Sequence, residues 1–214
     1  MKKYLIFDFD GLILDTEYAW YQAYQKWFLD HFDFKLDEQL FVSCVGTTNH
    51  QFLRECSKLL NTDIDPKEFK EETNKTLHKL CAQLPLMEGL NDVLEYAKQR
   101  GIVCSIISNS PKSWSIPHLI RNNILDDFDL IVTPLSRKEM KPSGTMYKRI
   151  LDYYDCIADD VLVLEDSPSG LESAKKMEIE VAIIENKLTK YMDFQGVFDY
   201  KLKSLKEVVT KNLI

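Results

Sequence analysis

The chain has 214 residues, 45% of them hydrophobic and 29% charged, with a formal net charge of −7. These values are ordinary for a soluble globular protein, and the length suits one sizeable domain or a medium one carrying a smaller insert. The acidic balance speaks against a nucleic-acid partner, whose affinity comes largely from Lys and Arg neutralising phosphates, while leaving room for a local cationic pocket.

In chain order, Tyr4–Phe7 is a short continuous apolar run, the kind a strand buried on both faces needs. Met1-Lys2-Lys3 is basic, but the apolar stretch is broken at Asp8 and Asp10, too early for a signal segment or a membrane span. The expected location is therefore the cytoplasm, with no membrane partner. From about Thr16 to Pro85 no strand pattern occurs. Trp20, Tyr24, Trp27 and Phe28 recur at helical spacing, as do Phe52, Leu53, Cys56, Leu59 and Leu60, and then Leu77, Leu80, Cys81 and Leu84. This predicts a helical insert. After Pro85–Gly89 the pattern becomes alternating. Leu90, Val93, Leu94 and Ala97 have helical spacing, closed by Gly101. Apolar runs follow at 102–107, 130–132, 161–164 and 181–184, with helical patterns at 146–154 and 171–177. Ser204 and Glu207 form a capping-box pattern for a last helix. Strand–helix alternation predicts an α/β fold, a Rossmann-like parallel sheet wrapped by helices. Its segments would be 1–15 and 86–214, with 16–85 as the insert. The five cysteines, Cys44, Cys56, Cys81, Cys104 and Cys156, are odd in number and form no CxxC pair. They read as free thiols of a reducing compartment.

Chemistry-bearing residues gather where apolar runs end. In an open parallel sheet, ligands bind beyond the carboxyl ends of the strands. Asp8-Phe9-Asp10-Gly11 follows the first run, and residues two apart on extended backbone face the same way. Two carboxylates can thus meet one site, although Asp is also an ordinary turn residue. Glu165-Asp166 ends the 161–164 run. Acidic residues at two strand ends suit a hard divalent cation such as Mg²⁺, although Asp166 or Ser167 could equally cap the next helix. Ser108-Asn109-Ser110 offers hydroxyl, amide and backbone N–H groups before a helix, which suits a phosphate oxygen or simple capping. Lys141, ahead of the helix holding Tyr147, could neutralise a phosphate or be a surface lysine.

Taken in order, these segments resemble the four motifs of the haloacid dehalogenase-like superfamily. Tyr4-Leu-Ile-Phe-Asp8-Phe-Asp10-Gly-Leu-Ile-Leu-Asp-Thr-Glu17 is similar to the first and Ile106-Ile-Ser108-Asn-Ser to the second. Lys141-Pro-Ser-Gly-Thr-Met-Tyr147 is similar to the third and Val163-Leu-Glu165-Asp166-Ser-Pro-Ser-Gly170 to the fourth. The helical insert resembles the cap of the subgroup containing β-phosphoglucomutase and many sugar- and nucleotide-phosphate phosphatases. The resemblance implies a Mg²⁺-dependent phosphatase of a small phosphorylated metabolite. Asp8 would be the nucleophile and Asp10 the general acid and then base. Asp8, Asp10 (through its backbone carbonyl), Glu165 and Asp166 would hold the metal, and Ser108, Asn109 and Lys141 the phosphoryl oxygens. The cleft would lie between core and cap, and the protein would be a monomer.

Asp10 with Glu165-Asp166 favours phosphoryl transfer over carbon–halogen cleavage, because the family's dehalogenases need neither the second Asp nor the metal. A β-phosphoglucomutase-like mutase is an alternative. The residues around Gly46, Val45 to Asn49, lack the cations such mutases carry, and Trp20 stands where they tend to have His. A non-catalytic phosphometabolite-binding protein is a further alternative, countered by the intact Asp8 and Asp10. Thr16, Trp20, Gly46 and Asn49 are the candidate substrate residues of the cap. Tyr24 and Trp27 are read as helix core, and the four histidines stay unassigned.

Overall fold

The structure, a computed structural model, describes residues 2–43 and 49–214. Gly46 therefore lies outside the described residues, and so does the side chain of Asn49. In chain order the elements are β1 (Tyr4–Phe7), α1 (Thr16–Phe32), α2 (Glu38–Ser43), α3 (Asn49–Leu60), α4 (Pro66–Cys81) and α5 (Leu90–Gln99). Then come β2 (Val103–Ile107), α6 (Lys112–Arg121), β3 (Leu130–Val132), α7 (Thr145–Tyr154), β4 (Val161–Glu165), α8 (Pro168–Lys175), β5 (Glu180–Ile184), β6 (Tyr200–Leu202) and α9 (Lys206–Thr210), with short 3₁₀ turns between some of them. The chain divides into two compact units, Met1–Asp15 with Pro85–Ile214, and Thr16–Leu84.

The first unit is built on one parallel sheet in the order β3-β2-β1-β4-β5-β6. Its central strands are apolar without interruption because helices cover both faces. Leu5, Ile6, Phe7 and all of Val161–Leu164 are buried completely. The chain leaves β1 towards β2 and β3, then crosses back to place β4 on the other flank of β1. The strand order reverses there, and the carboxyl ends of β1 and β4 border the crevice that such a reversal creates. Register fixes the neighbours at that edge. Phe7 lies opposite Ile106 on one side and Leu164 on the other, so Asp8 and Glu165 emerge side by side, and the Asp8 N–H donates to the Leu164 carbonyl at 3.0 Å.

α5 ends as its sequence predicts. Gly101 sits just past it with φ of +67°, and its N–H reaches the Lys98 carbonyl at 3.2 Å, a conformation in which a side chain is disfavoured. The short edge strand β6 was not foreseen. It is held through Asp199, whose carboxylate accepts from the Val181 N–H at 2.7 Å. Buried Cys56, Cys81 and Cys104 and half-buried Cys156 carry no disulfide. Burial, with Asp127 adding to it, pushes the Cys104 thiol up to about 12, which suits a packing residue and not a nucleophile. No described helix is long and apolar enough to cross a membrane.

The second unit is helical, with α1 packed along α4. Asp65 caps α4 by accepting from the Lys67 N–H at 2.8 Å, and Pro66 occupies the first turn, where its missing N–H costs nothing. The aromatic positions of α1 converge on Phe69 of α4. Its ring centroid lies 4.7 Å from Tyr24, 4.9 Å from Trp27 and 5.8 Å from Phe28. Tyr24 and Trp27 are buried, as helix-core residues should be, whereas Trp20 is half-buried and meets Tyr24 edge-on. Thr16, the first residue of α1, is buried. His31 stacks on Trp27, and its Nε2 lies 3.2 Å from Glu72, tying the end of α1 to α4. Phe69→Ala is expected to cost this unit roughly 3–5 kcal/mol, the usual price of emptying a fully packed aromatic site. Urea unfolding followed by tryptophan fluorescence would show this as a lower midpoint. A midpoint equal to wild type would mean that Phe69 does not anchor the unit.

Candidate active site

The crevice at the ends of β1 and β4 is built around one buried cation. The Lys141 ammonium contacts Asp8 Oδ1 and Glu165 Oε1 and donates to the Ile107 carbonyl at 2.8 Å. Three oxygens from three strand ends thus converge on one nitrogen. Lys141 and Asp8 are both more than nine-tenths buried and Glu165 is fully so. Burial works against the Lys141 charge, but Asp8 and Glu165 more than offset it and hold the ammonium well above the ordinary lysine value. Asp8 goes the other way from a usual surface aspartate. Burial pushes its carboxyl well up, Lys141 pulls it down, and Glu165 and Asp10 push it up again.

Lys141 is aimed by its backbone. Its N–H donates to Asn109 Oδ1 at 2.8 Å, and Asn109 Nδ2 donates to its carbonyl at 3.3 Å. The Asn109 amide is therefore a clamp between the β2 and Lys141 loops. Its backbone N–H, the group expected from the sequence to meet a phosphoryl oxygen, is not the part of Asn109 that this clamp uses. The Lys141–Pro142 peptide is cis.

Glu165 is surrounded by donors. Oε1 also accepts from the Tyr147 hydroxyl at 3.3 Å, and Oε2 from the Ser167 hydroxyl at 3.1 Å and from the N–H groups of Asp166 and Ser167. Gly170 explains itself here, since a Cβ at that position would lie 2.0 Å from the Glu165 carboxylate. Ser167 is the cap of α8, accepting from the Gly170 N–H at 3.1 Å. Asp166 is thus spared for other use. Its Oδ2 accepts from Asn186 Nδ2 at 2.7 Å, and the same nitrogen donates to the Gly11 carbonyl at 3.1 Å. Gly11 has φ of +80°, and a Cβ there would meet Asp166 Oδ2 at 2.0 Å, so only glycine lets the first loop pass.

Asp10 faces elsewhere. Its Oδ1 accepts from the Trp114 indole N–H at 2.9 Å, and its Oδ2 from the Ser110 hydroxyl at 2.6 Å and, more weakly, from Ser108 at 3.4 Å. Asp8, Glu165 and Asp166 form a buried group whose ligand oxygens lie within 4.8 Å of one another. Asp10 contributes no side-chain oxygen to that group. Among the described residues, three buried carboxylates against one buried ammonium leave an excess of negative charge, which a divalent cation would offset. The oxygen-only donor set is the kind Mg²⁺ takes.

The strand ends thus bring together Asp8, Lys141, Glu165 and Asp166, and place Ser108 and Asn109 beside them. The sequence reading missed Asn186, Trp114, the contact of Ser110 with Asp10 and that of Tyr147 with Glu165. Asn186 had a usable signal, since it stands two residues past the apolar run of β5, as Asp166 does past that of β4.

The profile of the family described as haloacid dehalogenase-like hydrolase matches residues 5–184. The candidate phosphatase YhcW of Bacillus subtilis strain 168 is 28% identical over 97% of this chain and 94% of its own. A phosphorylated carbohydrates phosphatase of Thermotoga maritima is 27% identical over 82% of each. A crystal structure from Thermotoga maritima, described as a candidate β-phosphoglucomutase, superposes with a TM-score of 0.78 at 24% identity and covers 100% of both chains, a likeness of fold. The four motifs at one sheet edge and the match of the family over most of the sequence agree: the chain belongs to the haloacid dehalogenase-like hydrolases.

Proposed function

We propose that the protein hydrolyses a small phosphorylated carbohydrate through an aspartyl phosphate on Asp8, with Mg²⁺ as cofactor. It is a phosphoric monoester hydrolase, and the substrate class follows the name of the Thermotoga maritima relative. The observation that carries the mechanism is the buried ammonium of Lys141 set between Asp8 and Glu165, next to Asp166. A carboxylate nucleophile must approach an anionic phosphate, and a fixed cation beside it lowers that repulsion as charge develops.

An oxygen of Asp8 bonds to phosphorus as the bond to the leaving oxygen breaks, and Asp10 gives that oxygen a proton. Asp10 then takes a proton from the water that attacks phosphorus. The Asp8–phosphorus bond breaks, phosphate leaves, and both carboxyl groups return to their starting state. Ser108 and the Asn109 N–H hold phosphoryl oxygens. Asp8, Asp166 and the Asp10 backbone carbonyl would hold the metal. Glu165, with both oxygens engaged by protein donors, reads better as the anchor of Lys141 than as the direct ligand expected from its sequence motif. Bound Mg²⁺ would supply positive charge to the phosphoryl oxygens in the transition state.

The test is phosphate release from a panel of sugar, polyol and nucleoside phosphates, with Mg²⁺ and with EDTA. The panel includes β-glucose 1-phosphate, with glucose 6-phosphate read out separately. Metal-dependent release from sugar phosphates supports the reading, and mass spectrometry of rapidly quenched protein should find the phosphoryl group on the Asp8 peptide. Conversion to glucose 6-phosphate without net release would replace hydrolysis by mutase activity. Binding without turnover would leave a phosphometabolite-binding protein.

Asn186 supports the same site from outside. Two backbone N–H groups, of Leu188 and Thr189, donate to its Oδ1 at 3.0 Å, so its Nδ2 necessarily faces Asp166. Asn186→Ala is expected to weaken Mg²⁺ binding roughly 10- to 100-fold, as loss of such supporting contacts does. Calorimetric titration of the protein with Mg²⁺ measures this directly, and unchanged affinity would remove Asn186 from the site.

A further inference from the structure

Trp114 is the third residue of α6, and its ring is held by edge-on packing against His118 at 4.8 Å. His118 in turn lies 6.2 Å from Phe9, the residue between the two aspartates. The indole N–H donates to Asp10 Oδ1 at 2.9 Å. The other oxygen of the same carboxylate meets the hydroxyls of Ser110 and Ser108. The two sides differ in kind. An indole nitrogen only donates, whereas a hydroxyl donates or accepts as its partner requires. A proton on Oδ1 would point at another proton and forfeit the indole hydrogen bond. A proton on Oδ2 keeps the contacts with Trp114, Ser110 and Ser108, because the Ser110 hydroxyl can turn to accept it.

From this asymmetry we infer that Trp114 is a positioning residue for the reaction: its N–H fixes the Asp10 carboxylate so that Oδ2 is the oxygen that exchanges the proton with leaving group and water. The inference rests on the reading of Asp10 as general acid. In the step concerned, the Asp8 oxygen bonds to phosphorus and the phosphorus–oxygen bond to the leaving group breaks. The electron pair of that bond stays on the leaving oxygen, which receives the proton from Asp10 Oδ2. Without the indole, either Asp10 oxygen can carry the proton and Oδ1 loses the donor that distinguishes it from Oδ2. Protonation of the leaving oxygen then falls out of step with bond cleavage. The damage should scale with how badly the leaving group needs the proton.

Phenyl phosphate and p-nitrophenyl phosphate test this, since they differ little in shape while phenolate, with a conjugate acid of pKa about 10 as for tyrosine, is much the poorer leaving group. The quantity to compare is kcat/KM, which covers the steps up to cleavage of the bond to the leaving group and is blind to later hydrolysis of the phosphoenzyme. For Trp114→Phe, which keeps the ring packing and loses the N–H, kcat/KM for phenyl phosphate should fall at least about tenfold more than for p-nitrophenyl phosphate, a modest part of what acid catalysis contributes. Trp114→Gln places an N–H donor the same number of bonds from Cα and should restore part of that ratio. A general loosening of α6 would depress both substrates together.

Asp10→Asn is run alongside. If it produces the split between substrates and Trp114→Phe does not, or if Phe and Gln behave alike, the role of Trp114 is overturned while Asp10 stands. If Asp10→Asn itself shows no split, Asp10 is not the acid, and the assignments of both residues fall.

Discussion

Asp8→Asn is expected to abolish phosphate release and, at neutral pH, to make the metal-free protein more stable. Loss of a covalent nucleophile typically lowers turnover by about 10⁴-fold or more. The stability gain follows from the charge of the site. Asp8 is buried beside Glu165 and Asp166, and the Lys141 ammonium is paired with Asp8 and Glu165. Burial, opposed by Lys141 but aided by Glu165 and Asp10, lifts its carboxyl well above the ordinary value of 3.8. A folded-state value above the unfolded one means that the folded protein holds the proton more tightly. That contribution to stability is complete below the ordinary value and is lost as pH rises through the raised one. Asparagine keeps the shape and never ionises, so it avoids the loss. The gain should be absent in acid, grow with pH and reach about 1 kcal/mol, the size usual when a strained functional group is neutralised. Thermal unfolding in EDTA at several pH values measures it. Added Mg²⁺ should narrow the gap by stabilising wild type more than the variant. A variant less stable than wild type at every pH would mean that the Asp8 charge is fully satisfied without metal.

The parts of this site that could be read from sequence share one property: they depend on short-range pattern. Asp8, Ser108 and Glu165 follow apolar runs, and a parallel sheet brings the carboxyl ends of its strands to one edge. The residue types there state their chemistry. Trp114 and Ser110 were less legible because their importance lies in a partner about a hundred positions away, and neither tryptophan nor serine in a helix start signals such a partner. Gly170 could be quoted as part of a motif, yet its reason, a carboxylate occupying the space of its Cβ, exists only in three dimensions. Asn186 was within reach of the strand-end rule, since it stands two residues past the apolar run of β5, as Asp166 does past that of β4. β6 was hidden for a simpler reason. Its three residues Tyr200–Leu202 form an edge strand with an exposed lysine at the centre, so neither a continuous apolar run nor a sustained alternation marks it. In the helical unit, the aromatic stripe of Tyr24, Trp27 and Phe28 showed the core-facing side of α1, because burial of one face imposes the helical period. The pairing of His31 with Glu72 joins two helices and had no local signature.

Lys141→Met should damage both stability and catalysis, and Arg should not repair it. Removing the ammonium leaves Asp8 and Glu165 facing one another in a buried site without their cation. Breaking a buried ion pair from one side costs about 3–5 kcal/mol, and salt in solution screens such a pair poorly. The loss should shrink as pH falls, because Lys141 is what pulls the Asp8 carboxyl down, and without it Asp8 takes up a proton more readily. In wild type the lysine contribution behaves oppositely at the alkaline end. The raised ammonium keeps its stabilisation through neutral pH and loses it as pH rises through that value. Turnover should fall about 10²–10³-fold beyond any loss of folded protein, the effect of deleting one transition-state donor. Arginine carries the same charge but the wrong shape. The Lys141 nitrogen meets Asp8 Oδ1, Glu165 Oε1 and the Ile107 carbonyl from a single point, which the three diverging donors of an ammonium can do. A planar guanidinium presents its donors as a flat fork and is larger than a site this buried admits. Urea unfolding from pH 5 to 9, with kcat for all three proteins, separates these contributions. Near-wild-type turnover in Lys141→Arg would show that the site requires only a positive charge, and that the convergence of three oxygens on one nitrogen is incidental to the chemistry.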